Sequence, residues 1–342
     1  MLLSSYSQYV TGWSLLAVIA LVASVISSMI EVAGKHPLEA AILAIVIGMV
    51  LSNSSTIPRS CESGVKAFEK PLALGIVLLG ASFNYYQFFE QGFALLLIVV
   101  GTMLTGLIAI VLFAYFLRLP PKLALLLGLG TTICGGTAIA ITAPLMKASE
   151  EETSYAIGVI ALWGIAALVL YPTIAQSLGV SDEVFGIFAG TAIHSTPQVV
   201  GAGFMFSEVA GKTATGVKLL RNCFIAPLAF GVALWFTPAS AEGTSENRMN
   251  AKYSVAKALP WFLFGYFLMA FLYSEELLPD GFSAQAVYVG KFLILIGMAG
   301  VGANTRLNAF KKLGFTPLLA GLFGSIIVAM TSAILIIQLY QQ

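Results

Sequence analysis

TTICGGTAIAITAPLMKA, residues 131–148, decides how the rest of this chain is read. It lies within an apolar run long enough to cross a bilayer, yet it carries a Gly-Gly pair, four threonines, a cysteine and a proline. Backbone groups left unpaired in lipid cost several kcal/mol each, so irregular backbone survives at membrane depth only where protein or a water-filled cavity surrounds it. Gly135-Gly136 removes side chains where a helix would break. Thr131, Thr132, Thr137 and Thr142 supply hydroxyls, and Pro144 has no amide to donate. A half-helix starting after the glycines presents free N–H groups and the positive end of its dipole, a seat for an anion. Close packing of neighbouring helices on small residues is the alternative reading.

Working outward, the chain has 342 residues, 58% hydrophobic and 10% charged. Soluble domains carry roughly a quarter of their residues as charged types, so this is the composition of an all-α integral membrane protein. The net charge of +1 leaves no footprint for nucleic acid. Three cysteines without a CxxC pair, and two histidines, offer no metal centre, and no cofactor is expected.

A helix needs about 20 mostly apolar residues to cross a bilayer. Apolar runs and polar breaks predict eleven segments near 12–30, 38–52, 68–86, 92–117, 122–147, 153–178, 183–206, 213–237, 254–273, 284–304 and 314–340. They form one polytopic unit over 1–342, with residues 1–37 a peripheral N-terminal helix and 38–342 the core and scaffold. Eleven basic residues fall on one side: Arg59, Lys66, Lys70, Arg118, Lys122, Arg248, Lys252, Lys257, Arg306, Lys311 and Lys312. Five fall on the other: Lys35, Lys147, Lys212, Lys218 and Arg221. The richer side belongs in the cytoplasm, which puts the N-terminus inside and the C-terminus outside.

A second interruption is GTAIHSTPQVVGAG, residues 190–203. His194, Ser195, Thr196 and Gln198 sit midway along an apolar segment beside Pro197. Ionisable groups at that depth mark pathways, so His194 is expected to line the site, with a coupling proton or a simple donor role both open. VKLLRNCFIAPLAF, residues 217–230, places Lys218 and Arg221 three apart on one helix face. Snorkelling to the headgroups is one reading; a cationic vestibule for anions is the other. Every Asp and Glu lies in a loop or near a segment end, so no mid-membrane carboxylate is offered to a cation. A faint repeat also lays Gly80 and Asn84 on Gly300 and Asn304, in segments expected to run in opposite directions. Its second break falls either in segment 7 or at GMAGVGAN, residues 297–304.

Four blocks, FEKPLALGIVLLGASFNYYQF, TTICGGTAIAITAPLMKA, AGTAIHSTPQVVGAG and VKLLRNCFIAPL, resemble in this order the YeiH family of bacterial inner-membrane proteins, which carries the label of sulfate exporters. That family looks related to the bile-acid symporters and sodium/proton antiporters. The resemblance implies inverted repeats, crossed discontinuous helices, elevator-type movement and a homodimer in the inner membrane. By resemblance, Thr132, Cys134, Gly135, Gly136 and Thr137 line one half of the site, and His194, Thr196 and Gln198 the other. Thr131, Ser195, Asn84 and Asn304 join the candidate lining. Ser195 stands where the family pattern has a carboxylate, which puts proton coupling through this block in doubt.

The expected function is therefore a non-enzymatic secondary transporter exporting sulfate, sulfite or a sulfonate, with proton or sodium as coupling ion. Sodium-coupled uptake of a larger organic anion is the alternative. An intramembrane enzyme using Cys134 or Ser195 with His194 is the reading from another class. Adjacent helical residues point about 100° apart, so His194 and Ser195 make a poor nucleophile–base pair.

Overall fold

A computed structural model describes residues 2–29, 40–54, 57–90, 92–236, 260–305 and 314–340. Of the basic residues that orient the chain, Lys35, Arg248, Lys252, Lys257, Arg306, Lys311 and Lys312 lie outside these described residues. Every regular element among the described residues is helical. In chain order they are α1 (Leu2–Met29), α2 (Ala40–Ser54), α3 (Arg59–Lys66), α4 (Glu69–Leu79) with a 3-10 turn (Gly80–Ser82), α5 (Tyr85–Glu90) and α6 (Gly92–Phe116). Then come α7 (Pro121–Thr132), α8 (Gly136–Met146), α9 (Glu150–Ser177), α10 (Asp182–Ala192), α11 (Thr196–Phe206), α12 (Glu208–Asn222) and α13 (Ile225–Phe236). The chain closes with α14 (Trp261–Ser274), α15 (Phe282–Asn304) and α16 (Phe315–Leu339).

Among the described residues, six stretches are long and apolar enough to cross a membrane: Tyr9–Met29, Gly92–Phe116, Glu150–Ser177, Glu208–Phe236, Phe282–Asn304 and Phe315–Leu339. Each of the eleven expected segments contains helix, but the remaining five are short or divided. Two divisions fall where glycine and proline placed them. Segment 5 is split into α7 and α8, and segment 7 into α10 and α11. The GMAGVGAN alternative is corrected: α15 runs unbroken from Phe282 to Asn304. Gly297, Gly300 and Gly302 there serve close packing, each holding room for a neighbouring helix or side chain.

Local sequence explains where the helices start. Ser149 and Glu152 form a reciprocal capping box for α9: the Ser149 amide donates to Glu152 Oε2 at 2.8 Å, and the Glu152 amide to Ser149 Oγ at 3.1 Å. Three glutamates in its first turn complement the helix dipole. Pro121 opens α7, where its missing N–H costs nothing.

The chain divides into two compact units. One comprises residues 1–88 and 262–309; the other comprises 89–261 and 310–342. In the first, α2 and α15 meet backbone to backbone. A Cβ placed on Gly48 would lie 2.4 Å from the Ala299 carbonyl, and one on Gly302 would lie 2.0 Å from that of Ile45. Asn53 Nδ2 ties the end of α2 to the Thr305 carbonyl at 2.8 Å. Helix α1 approaches α3 just as closely at Gly12 and Gly64, and Trp13 Nε1 donates to the Ala67 carbonyl at 3.3 Å.

The second unit holds both interrupted segments. Helices α10 and α11 lie on α12 through small residues, with Gly190 against Val217 and Gly203 against Gly211. That closeness carries one face of α12 up to the interruptions.

Candidate functional site: two helix breaks bound by buried cations

Between α7 and α8 the backbone leaves the helix at Ile133 and Cys134 and turns at Gly135, whose φ of 72° and ψ of −130° suit glycine alone. Between α10 and α11 it extends through Ile193, with φ −82° and ψ 147°, and through Ser195, with φ −98° and ψ 152°. The two breaks touch. A Cβ on Gly135 would lie 3.0 Å from the Ser195 Cβ.

A broken helix leaves carbonyls without partners at its C-terminal end, and each needs a donor when water is absent. Here two side chains provide them. Arg221 Nε donates to the Thr132 carbonyl at 2.5 Å and Nη2 to that of Thr131 at 2.6 Å. Arg221 Nη1 reaches the carbonyls of Gly190, Thr191 and Ile193 at 3.2, 2.7 and 3.0 Å. Lys218 Nζ donates to Ile133, Ile193 and His194 carbonyls at 2.7, 3.2 and 2.5 Å. The remaining carbonyls of α7 bond backward, Leu129 to the Ile133 amide and Gly130 to that of Gly135. Cations at the negative ends of α7 and α10 complement both dipoles.

This corrects the expectation of a vestibule at Lys218 and Arg221. Lys218 is 0% exposed and Arg221 1%. They neither snorkel nor face solvent, because the unpaired carbonyls of two half-helices hold them inside. Neither is bonded to a carboxylate among the described residues. Both heads reach the Ile193 carbonyl, so they lie within about 6 Å of each other. At an effective dielectric near 20 their mutual repulsion is about 3 kcal/mol. A nearby anion would offset it.

The opposite, N-terminal ends differ: α11 is closed by a Ser195–Gln198 capping box, whereas α8 has no side-chain cap from its N-cap residue. Gly135 has no side chain to cap α8. A Cβ on Gly136 would meet nothing within 4 Å, and Thr137 beside it is exposed. Ser195 is half-buried at the start of α11, and its amide donates to Gln198 Oε1 at 3.1 Å. Gln198 Nε2 donates to the Ala161 carbonyl at 3.4 Å, in space that Gly164 leaves free.

The structure thus brings Thr131, Thr132, Cys134, Gly135, Gly136, His194, Ser195, Thr196 and Gln198 to the crossing, with Thr137 on its open side. Thr132 is corrected in role: its hydroxyl donates back to the Gly128 carbonyl at 2.8 Å, and its own carbonyl serves Arg221. Thr131 Oγ1 is buried and unpartnered. Asn84 and Asn304 belong to the other compact unit. There Asn84 Oδ1 accepts from the Tyr86 amide at 2.9 Å, and Asn304 Nδ2 donates to Val65 and Gly300 carbonyls at 2.9 and 2.8 Å.

Two participants were missed from sequence. Ser325 Oγ on α16 lies 2.9 Å from His194 Nε2 and 2.8 Å from the Gly321 carbonyl, and its one proton serves either of them. His194 Nδ1 is buried without a partner among the described residues. Asn222, one residue beyond Arg221, donates to Thr196 Oγ1 at 3.2 Å and leaves its own Oδ1 unpartnered. Lys218, Arg221 and Asn222 share one face of α12, and the polar character of that last position was its signal.

Six membrane-length apolar helices, and two interrupted helices that meet at their interruptions, define a polytopic α-helical membrane protein with a polar crossing inside one unit. The chain belongs to the family described as Conserved hypothetical protein 698, whose family model matches residues 11–321. This is the YeiH family that the four sequence blocks resemble. The chain is 30% identical over 296 residues to a UPF0324 membrane protein of Bacillus cereus, covering 86% of this chain and 82% of that one. A UPF0324 membrane protein of Oceanobacillus iheyensis is 31% identical over 325 residues, with 94% and 93% covered. One of Streptococcus pyogenes serotype M18 is 32% identical over 328 residues, with 93% and 94% covered.

Proposed function

We propose that this protein is a secondary transporter of a small anion, of the sulfate, sulfite or sulfonate class, working by alternating access. One observation carries the reading: Lys218 and Arg221 satisfy the carbonyl ends of both breaks without a carboxylate among the described residues, while Gly135 gives α8 no side-chain cap and Gly136 leaves open space at its first turn. The crossing thus concentrates positive potential from two side chains and the N-terminus of α8. Gly136 allows a ligand oxygen close to the backbone, and the Thr137 and Ser195 hydroxyls stand beside it as donors. A doubly charged tetrahedral oxyanion suits this set because it accepts from several directions and offsets the cation repulsion.

The reading is of a carrier, not a catalyst. The His194 ring pairs with Ser325 through Nε2, and its Nδ1 has no partner among the described residues, so it is bonded to neither Cys134 nor Ser195 and does not hold a nucleophile. The proposed direction, export across a bacterial inner membrane, is supported by the family resemblance alone, and the basic-residue bias supports an N-terminus in the cytoplasm.

The test is reconstitution of the full-length protein in liposomes loaded with labelled sulfate, sulfite or a small sulfonate. Protein-dependent flux of at least one, competed by the others, is the expected result. Absence of flux and binding for all three ends the proposal.

A further inference from the structure

We infer that Lys218 is a resident cation: its ammonium fills a carbonyl cage that would otherwise seat an alkali ion, so the crossing works without bound sodium. The inference deepens the transport reading above by naming what the site does not couple to.

The geometry of one nitrogen carries it. Lys218 Nζ meets three backbone oxygens, those of Ile133, Ile193 and His194. They come from two separate chain breaks, 85, 25 and 24 residues away. An ammonium has three donors and no acceptor, so three carbonyls match its charged form completely. A neutral amine would turn its lone pair toward one of those oxygens. Unwound carbonyls at the C-terminal ends of half-helices are also the ligands with which transporters hold coupling cations. A hard cation such as Ca²⁺ takes such oxygens at about 2.3–2.6 Å, shorter than two of the three distances here, so the carbonyls would draw in around an ion. The same oxygens cannot serve the ammonium and an ion at once.

Neighbouring groups reinforce the exclusion. Arg221 shares the Ile193 carbonyl and takes those of Thr131, Thr132, Gly190 and Thr191. A sodium ion would enter beside two fixed positive charges with no carboxylate among the described residues bonded to either. Removing the Lys218 head while Arg221 remains frees the Ile133 and His194 oxygens, leaves that of Ile193 bonded to Arg221 alone, and removes one charge's worth of repulsion.

The experiment uses the full-length protein in lipid nanodiscs. It measures radioactive sodium binding, and thermal unfolding in sodium chloride against choline chloride at equal ionic strength. Wild type is expected to bind no sodium saturably and to unfold at the same temperature in both salts. Lys218→Ala is expected to gain saturable sodium binding, with an unfolding temperature that rises with sodium concentration as mass action requires. Lys218→Met, which refills the space with an uncharged chain, is expected to gain neither. Saturable binding to wild type overturns the inference, as does a folded Lys218→Ala protein without binding. If Lys218→Ala does not fold, the wild-type measurement decides alone. These readouts involve no sulfate, sulfite or sulfonate, so failure of their flux would end the transport reading and leave this one intact. Wild-type anion flux that requires sodium would do the reverse.

Discussion

Adding one methyl group at Gly135, and then the same group one residue later, separates the architecture of the crossing from its chemistry. Gly135 holds φ 72° and ψ −130°, a conformation that side chains resist at a cost of about 1–3 kcal/mol. Its new Cβ would also stand 3.0 Å from that of Ser195, and such overpacking typically costs about 1–3 kcal/mol more. Gly135→Ala is therefore expected to lose about 2–6 kcal/mol, a large share of a typical stability of about 5–15 kcal/mol. Gly136 is already helical and its Cβ would meet nothing within 4 Å. Gly136→Ala is expected to be neutral or to gain up to about 1 kcal/mol. That methyl would, however, stand over the open amides of α8, so anion binding should fall while folding does not. Thermal unfolding of both purified variants, followed by sulfate binding by Gly136→Ala, measures the two effects. Equal stability of the two variants would refute the contact between the breaks, and undiminished binding by Gly136→Ala would refute the anion seat.

Three further outcomes follow from the same coordinates. Arg221→Met removes the donors to five carbonyls, and each charge-assisted bond is worth about 1.5–3 kcal/mol, so a loss well above 3 kcal/mol is expected in unfolding assays; Arg221→Lys, lacking the planar fork, should rescue only part of it. Ser325→Ala should cost about 1–3 kcal/mol because the buried His194 Nε2 loses its partner, whereas Ser325→Thr should retain it; calorimetry of the three proteins decides. Outside the spans, the Glu275 carboxylate accepts from the Tyr86 and Tyr85 hydroxyls at 2.5 and 2.7 Å, and these bonds hold its pKa below the ordinary value. Its contribution is present above the ordinary carboxylate range and fades as pH falls through the lowered value, so replacing both tyrosines with Phe should raise the Glu275 pKa, read by carboxylate NMR titration.

The interruptions were legible in the sequence because glycine and proline betray a helix that stops. Gly135-Gly136 and Pro197 each mark a true division. What glycine does not reveal is which division meets which. GMAGVGAN looked like an equal candidate, yet α15 is continuous there because its glycines admit close packing to neighbours and not a turn. The threonines also misled in part. Thr132 and Thr142 spend their hydroxyls on carbonyls four residues back, a bond that any helix offers. Least legible were Lys218 and Arg221. Their spacing showed a shared face, but their partners lie 24 to 90 residues upstream in chain order. Only the folded accounting of unpaired carbonyls shows why two cations sit where lipid-facing sequence would forbid them. Ser325 and Asn222 escaped notice because one hydroxyl or one amide in a long apolar run has many innocent explanations.

The glycine contacts between α2 and α15 bear on how the first compact unit can deform. With the Gly48 and Gly302 positions pressed against opposing carbonyls, no cushion of methyl groups separates the two rods. Sliding one along the other by a single residue would drive a side chain into a peptide oxygen. The pair is geared, like meshed teeth, and any working stroke must carry both helices together as a stiff beam.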